Sequence, residues 1–298
     1  MAVLVFCLQT IQITCVLNPM LGHEYEGEIG TGGSQKRRSL WWGAGPAGLY
    51  AAIAAAKRGH DVVVYEKGKH AGGNFYTASI PPCKGEITDF IVWQTEQCRQ
   101  LGVEIKYETE ATAQFLKEAG MDTVILATGS NPVVPPVPGL AGNEKVCFAR
   151  DLLEGRVKPG NECVVIGGGQ VGAETAHFLA QLLRKVTVIE MTGVIAADAA
   201  LAVNWHLIDC LEKRKVKMQT DATVTEITDE GVVYRDKSGE LHTVPADTIV
   251  VAAGYRANNP LEDALKDSGI EVKVVGDAVR ARKVMHAIRE GFDAGRSV

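Results

Sequence analysis

From about residue 39 onward, short apolar runs alternate with helix-length segments. The runs DVVVY, TVIL and TIVV are continuously apolar, which is typical of strands buried on both faces of a parallel sheet. Between two such runs, the Ala-rich segment from Pro46 to about Arg58 predicts a helix, because proline suits the first helical turn. This strand–helix–strand order predicts an α/β protein.

One strand–helix–strand segment occurs twice. The first repeat, residues 43–66, is GAGPAGLYAAIAAAKRGHDVVVYE, and the second repeat, residues 167–190, is GGGQVGAETAHFLAQLLRKVTVIE. The two align without a gap. The shared residues are Gly43, Gly45, Gly48, Ala52, Ala56, Val62, Val64 and Glu66 in the first repeat and Gly167, Gly169, Gly172, Ala176, Ala180, Val186, Val188 and Glu190 in the second.

The glycines of each repeat suit the binding of a pyrophosphate. The first allows the tight turn from strand to helix, the second leaves room for the phosphates, and the third lets helix and strand pack closely. The helix N-terminus stabilises the anion with free N–H groups. Glu66 and Glu190 end the second strands, where a carboxylate can accept hydrogen bonds from the adenosine ribose. We therefore predict two Rossmann-like dinucleotide-binding domains rather than two purely structural turns.

Glu190 also bears on the choice between NADH and NADPH. The 2′-phosphate of NADPH would face this carboxylate, and EMTG, residues 190–193, contains no arginine to receive it. NADH is therefore predicted, with Arg184 and Lys185 left as the cations that could reach such a phosphate.

Two tryptophans directly precede the first glycine of the first repeat. Trp41 and Trp42 occupy strand positions where a buried parallel strand normally carries Val, Ile or Ala. The indoles could overpack the sheet, or local repacking could accommodate them. The alternative function that they raise is a degenerate module that binds ADP or NAD without a competent flavin.

Proline and strand patterns predict the domain boundaries. NPVVPPVPGL, residues 131–140, cannot continue a strand or helix and indicates an extended crossing between domains. Alternating segments between residues 216 and 250 resemble a small antiparallel insert that returns to the sheet. The predicted parts are a connector, 1–36, a first domain, 37–140 with 254–298, and a second domain inserted into it, 141–253.

Composition limits the classes of partner. The net charge of −5 leaves no basic surface for nucleic acid, which needs clustered Lys and Arg. The apolar start MAVLVFCLQTIQITCVLNPML lacks a positively charged leader region and has too many polar residues for a good membrane span. The seven cysteines contain no C-x-x-C pair, which favours reduced thiols. We expect a cytoplasmic protein that binds neither nucleic acid nor membrane.

Residues 38–298 resemble the two-dinucleotide-binding flavoprotein superfamily through GAGPAG, YEKGKHAGGNF, ILATGS, VIGGGQVGAE, VTVIE, VVAAG and VVGDA. The resemblance implies FAD in the first domain and NAD(P)H in the second. It implies cofactor-binding roles for Gly43, Gly45, Pro46, Ala47, Gly48, Glu66, Lys67, Gly73, Asn74, Thr128, Gly129, Gly167, Gly169, Gly172, Glu190, Gly254, Gly276 and Asp277. For Asp277, a helix N-cap is the alternative role. A disulfide reductase is excluded, because that branch needs a C-x-x-C or C-x4-C pair beside the flavin.

A narrower match concerns CVLNPMLGHEYEGE, residues 15–28. It is similar to the segment that joins an iron–sulfur site to the FAD domain in old-yellow-enzyme-like proteins, such as 2,4-dienoyl-CoA reductase and enoate reductase. In such relatives an FMN-bearing (β/α)8 barrel reduces the substrate, with electrons from NADH passing through FAD and a 4Fe-4S cluster. The family uses four thiolates for the cluster, whereas only Cys15, and Cys7 less well, match them. FMN and 4Fe-4S are therefore expected only in full-length relatives, the connector is expected to be a remnant of the iron–sulfur segment, and no metal ligand is assigned.

These features predict an NAD(P)H:flavin oxidoreductase that passes hydride from nicotinamide C4 to flavin N5. The cofactors carry that chemistry, so no catalytic side chain is assigned. The expected partner is a small-molecule electron acceptor or a missing FMN barrel domain or subunit.

Overall fold

The computed structural model describes residues 14–26, 29 and 38–298. The described chain forms two compact units. The first unit contains the described residues up to Ser79, Gly85–Asn131 and Arg256–Val298, and the second contains Ile80–Lys84 and Pro132–Tyr255. The second unit resumes at Pro132, so the boundary predicted at residue 140 lies within that unit.

The elements follow the predicted alternation. The described strands are β1 (Arg38–Trp42), β2 (Asp61–Tyr65), β3 (Glu104–Lys106), β4 (Thr123–Leu126), β5 (Ser130–Pro132), β6 (Val146–Phe148), β7 (Glu162–Ile166), β8 (Lys185–Ile189), β9 (Lys217–Gln219), β10 (Thr223–Ile227), β11 (Gly231–Arg235), β12 (Leu241–Pro245), β13 (Thr248–Val251), β14 (Tyr255–Ala257) and β15 (Glu271–Val274). The described α-helices are α1 (Pro46–Lys57), α2 (Asn74–Ser79), α3 (Gly85–Gln100), α4 (Ala113–Glu118), α5 (Ala149–Leu153), α6 (Gln170–Gln181), α7 (Leu201–Lys213), α8 (Glu262–Leu265) and α9 (Val284–Arg296).

Helix α1 illustrates why the sequence folds as it does. Gly45 is its N-cap, and Pro46 stands in the first turn, where its missing N–H costs no hydrogen bond. The helix ends at Lys57, and Gly59 adopts a φ of +93° that favours glycine. This confirms the predicted helix. None of the described helices is long and apolar enough to span a membrane.

The first unit is built on a five-stranded sheet in the order β15-β4-β1-β2-β3, with every pairing parallel. Its central strand β1 carries both tryptophans, on opposite faces because successive side chains alternate. Trp41 is fully buried among residues of α1 and α3, such as Leu49 and Ile91. Trp42 is buried on the other face with Leu116 and Leu126. The sheet therefore accommodates both indoles, in two separate layers.

The second unit has a parallel sheet in the order β6-β13-β7-β8-β9 and a three-stranded antiparallel sheet, β10-β11-β12. The predicted antiparallel insert is confirmed for these three strands, and β13 returns to the parallel sheet. The prediction was wrong for β9, which pairs in parallel with β8. Helix α7 precedes β9 and brings the chain back across the sheet, as a parallel connection requires.

Candidate dinucleotide sites

The first glycine loop, residues 43–48, joins β1 to α1 and has no space for larger residues. Gly43 has a φ of +101°, and a Cβ there would lie 2.3 Å from the carbonyl oxygen of Ala127. A Cβ on Gly48 would lie 1.9 Å from the carbonyl oxygen of Gly43. At Gly45, by contrast, a Cβ would meet nothing within 4 Å. The loop is tightly packed at its two ends and open in the middle, where a ligand can approach.

Glu66 is fixed beside this loop by two backbone N–H groups. Ala44 N donates to Glu66 Oε2 at 2.8 Å, and Gly68 N donates to Glu66 Oε1 at 2.7 Å. A carboxylate accepts several hydrogen bonds, so both oxygens keep free lone pairs. Glu66 can therefore hold the loop and still accept hydroxyl donors from a ribose.

The second glycine loop, residues 167–172, repeats this arrangement between β7 and α6. Gly167 has a φ of +99°, and a Cβ on Gly172 would lie 1.9 Å from the carbonyl oxygen of Gly167. Glu190 Oε2 accepts from Gly168 N at 2.6 Å, and Glu190 Oε1 accepts from Thr192 N at 2.8 Å. The aligned repeat in the sequence thus corresponds to a repeated hydrogen-bond pattern.

Asn74 and Asp277 are brought together around Ser130, which sequence reasoning missed as a site residue although it ends the quoted motif ILATGS. Ser130 Oγ donates to Asp277 Oδ2 at 2.9 Å, and Asn74 Nδ2 donates to Ser130 Oγ at 3.1 Å. Asp277 lies in a 3-10 turn, and Lys283 rather than Asp277 is the N-cap of α9. The helix-cap alternative for Asp277 is therefore wrong.

A cavity of about 80 Å³ lies at the carboxyl ends of the first unit's parallel strands, where open α/β sheets bind ligands. Its lining residues are Trp42, Lys67, Glu110, Ala111, Thr128, Asn258, Pro260 and Leu261. Among the predicted residues, Lys67 and Thr128 belong to it. The Thr128 hydroxyl donates to the carbonyl oxygen of Asn258, which fixes one wall of the cavity.

The remaining predicted residues lie in turns or at the starts of α1 and α6. The predicted turn glycines with positive φ are Gly73, Gly129, Gly254 and Gly276, at +51°, +72°, +96° and +67°. Pro46 and Ala47 are the first two residues of α1, and Gly169 is the N-cap of α6. A Cβ on Gly276 would lie 3.0 Å from the Cβ of Ala47, so the turn at 276 packs against the start of α1.

Three polar contacts at the start of α6 were missed. Lys84 Nζ lies 2.5 Å from Glu174 Oε1, which also accepts from Gln170 Nε2 at 2.9 Å. Asp198 Oδ1 accepts from Gln170 N at 2.7 Å. Glu174 is visible in the motif VIGGGQVGAE, whereas Lys84 and Asp198 reach the helix from distant positions that no local pattern indicates.

The buried thiols are not nucleophiles at neutral pH. Burial raises the pKa of Cys98 and of Cys147 to about 12 and that of Cys163 to about 11. Because the thiolate is the reactive form, these three groups are packing residues. Cys15 is half-buried and unpaired with another cysteine, and Cys7 lies outside the described residues.

Comparison with known proteins identifies the family. The family model described as pyridine nucleotide-disulphide oxidoreductase matches residues 43–280, which is most of the chain. The chain belongs to this family. It is therefore placed among oxidoreductase flavoproteins that bind FAD and a pyridine nucleotide, and the predicted Rossmann-like class is confirmed.

Several longer proteins are similar in sequence to nearly the whole of this chain. An NADH oxidase of Thermoanaerobacter brockii is 38% identical over 288 residues, covering 95% of this chain and 44% of the oxidase. A metal reductase of Desulforamulus reducens is 34% identical over 94% of this chain and 47% of its own length. The structure of a 2-naphthoyl-CoA reductase complex has a TM-score of 0.92, with 33% identity over 96% of this chain and 44% of that one. The chain thus spans less than half the length of these relatives, and the predicted old-yellow-enzyme-like resemblance is confirmed.

Proposed function

We propose that the chain is the electron-input half of a dienoyl-CoA- or enoate-reductase-like flavoenzyme, in which NADH reduces FAD. The observation that carries this proposal is the duplicated geometry of the two glycine loops, each with its own glutamate held by two backbone N–H groups. Two nucleotide sites in one chain suit a reaction between two nucleotide cofactors.

The first glycine loop fits the pyrophosphate of FAD. The open space at Gly45 and the N-terminus of α1, which has no side-chain cap, leave backbone N–H groups for an anion. Glu66 would accept hydrogen bonds from the adenosine ribose. Asn74, Ser130 and Asp277 supply a polar group that would hold the remaining hydroxyls of the cofactor.

The second glycine loop would hold NADH. Glu190 takes the place of Glu66, and Gly169 that of Gly45. When bound, the two cofactors supply the hydride transfer from nicotinamide to flavin, and this chain's residues bind them, orient them and exclude water. No proton transfer is assigned to a side chain, and the raised pKa values of the buried thiols argue against a thiol relay.

The electron acceptor would lie outside the matched stretch. The relatives contain more than half of their length beyond this match, and their names include an NADH oxidase, a metal reductase and a CoA-thioester reductase. We propose a small-molecule acceptor, or an FMN barrel domain or subunit, as the recipient of the electrons.

Mass spectrometry of the nucleotides released from the purified chain tests this proposal. The expected result is a yellow protein that releases FAD, with FAD uptake restoring the colour after stripping. A colourless protein that binds ADP or NAD but rejects added FAD would support a degenerate nucleotide-binding module instead.

A further inference from the structure

The segment that directly follows Glu190 is bordered by a carboxylate that lies outside the repeated motif. Asp221 N donates to the carbonyl oxygen of Thr192 at 2.9 Å. A Cβ placed on Gly193 would lie 3.4 Å from Asp221 Oδ1 and 3.6 Å from Oδ2. The Asp221 carboxylate therefore lies against the short segment that directly follows Glu190.

This segment is where a Rossmann-like site receives the 2′ position of the adenosine ribose, because the ribose hydrogen-bonds to the acid at the end of the second strand. Ala222 N donates to the carbonyl oxygen of Glu190 at 2.9 Å, so the turn at Asp221 is fixed to the same strand end. A 2′-phosphate on a ribose bound at Glu190 would therefore lie on the side where Asp221 is found.

Arg184 and Lys185, the two cations that could reach a 2′-phosphate, do not lie near the segment after Glu190. Arg184 Nη1 donates to Asn161 Oδ1 at 2.9 Å, and Lys185 Nζ lies 3.1 Å from Glu162 Oε1. Both cations lie at the amino end of β8, whereas Glu190 follows its carboxyl end, a separation of about 16 Å for a five-residue strand.

One lysine does approach Asp221. Lys237 Nζ lies 3.8 Å from Asp221 Oδ2, and its side chain is 82% exposed. An exposed pair at this distance is weak and screened by salt. Lys237 therefore neutralises Asp221 only in part, and the local charge beside Glu190 stays negative.

We propose that Asp221 acts with Glu190 as a specificity-determining residue that disfavours the 2′-phosphate of NADPH. This inference rests on the proposed function and names the pyridine nucleotide that the second site takes. The repulsion is between the phosphate dianion and two carboxylates supplied from the ends of neighbouring strands.

The test compares ADP-ribose with 2′-phospho-ADP-ribose, which differ only in the phosphate of interest, by calorimetric titration of the full chain in excess FAD. The variant is Asp221→Asn; Asp221 has a φ of +51°, which asparagine tolerates, so the turn is kept. The matched control is Glu212→Gln, which removes an exposed carboxylate at the end of α7.

The wild type is expected to prefer ADP-ribose, and Asp221→Asn to narrow that preference by about two- to fivefold at low salt. Added salt should shrink the difference between variant and wild type, and Glu212→Gln should leave the preference unchanged. An unchanged preference in Asp221→Asn would overturn the role of Asp221 while leaving the proposed function intact. A Lys237→Gln variant that loses most of its affinity for 2′-phospho-ADP-ribose would overturn that role as well, because Lys237 would then receive the phosphate. Failure of every variant to bind ADP-ribose overturns the proposed function as well.

Discussion

The two glycine loops share their internal hydrogen bonds and differ in what surrounds the start of the helix. In the first, α1 begins with Pro46, which has no N–H, and a Cβ on Gly45 would meet nothing within 4 Å. In the second, the first helical N–H, that of Gln170, is already bonded to the carboxylate of Asp198. In the second loop a Cβ on Gly169 would lie 3.6 Å from Asp198 Oδ1, so an acid of the chain borders the space that is open in the first loop.

This difference suggests how the two sites serve different ligands. A cofactor that stays bound gains from an open helix N-terminus, whereas a substrate that must leave after each turnover tolerates competition from Asp198. The segment that carries Asp198 is also bonded to the loop itself, because Ala196 N donates to the carbonyl oxygen of Gly168 at 2.7 Å. We expect the second loop to bind its nucleotide more weakly than the first.

The largest effects are expected when each loop is overpacked in turn, with Gly48→Ala in the first and Gly172→Ala in the second. In both, the new Cβ would lie 1.9 Å from a backbone carbonyl oxygen, which requires the backbone to move and costs about 3 kcal/mol or more. Gly48→Ala should lose FAD, and Gly172→Ala should keep FAD but lose NADH binding. Flavin content and calorimetric titration measure the two losses.

Gly85→Ala is the control for these variants, since its Cβ would meet nothing within 4 Å. Loss of FAD from both loop variants to the same extent, with native-like circular dichroism, would contradict the assignment of one nucleotide to each loop.

A smaller effect is expected from Gly45→Ala, which tests ligand space without disturbing the fold. The Cβ would meet no protein atom within 4 Å, and Gly45 has an extended backbone that alanine adopts. The melting temperature of the apoprotein should stay at the wild-type value, while the affinity for FAD falls about tenfold or more because the methyl group enters the phosphate space. Unchanged FAD affinity would show that no phosphate lies at Gly45.

Asp198→Asn tests the acid at the N-terminus of α6 in the second loop. Removing the charge should make ADP-ribose bind about threefold more tightly, because the carboxylate no longer competes at the helix N-terminus. The same change should lower the unfolding free energy of the ligand-free protein by about 1 kcal/mol through the weaker cap. Calorimetric titration and urea unfolding measure the two effects. Weaker ADP-ribose binding would mean that Asp198 supports the nucleotide rather than competing with it.

The smallest expected effect is a loss of alkaline stability through the buried thiols. Burial raises the pKa of Cys147 to about 12 and of Cys163 to about 11 in the second unit, and that of Cys98 to about 12 in the first. A thiol with a raised folded-state pKa stabilises the fold fully below its ordinary pKa of 9.0, and this stability is lost as pH rises toward the folded value.

Hydrogen exchange between pH 9 and 11 should therefore show the second unit opening more readily as the pH rises, in a window set by these pKa values. Cys147→Ala should reduce this alkaline loss in the second unit, since it removes one of the two buried thiols. An equal loss in the wild type and in Cys147→Ala would contradict the assigned burial of this side chain.

The sequence allowed the prediction of those features that depend on local pattern. Continuous apolar runs predicted the buried strands β4 and β13, and the spacing of glycines and acid predicted both loops because each lies within one strand–helix–strand segment. The length of β9 gave no such guidance: three residues are too few to show whether a strand joins a parallel or an antiparallel sheet.

The site residues that were missed come from distant parts of the chain. The fold brings separate connections to one sheet end, and only so do these residues lie near the second loop or the segment after Glu190: Asp198, Asp221 and the Lys84–Glu174 pair. Trp42 shows the reverse case, since its unusual size suggested an overpacked sheet, yet it is buried with Leu116 and Leu126 on one face of β1. Which neighbour a side chain meets across a sheet is a tertiary property.

Hydride transfer from NADH to FAD is tested by an anaerobic titration of the FAD-loaded chain with NADH, in which the flavin absorbance is the readout. We predict that one equivalent of NADH bleaches the bound flavin in wild type and in Gly85→Ala, whereas Gly172→Ala keeps its yellow colour. Bound NADH that leaves the flavin oxidised in the wild type, or full bleaching in Gly172→Ala, would contradict the account.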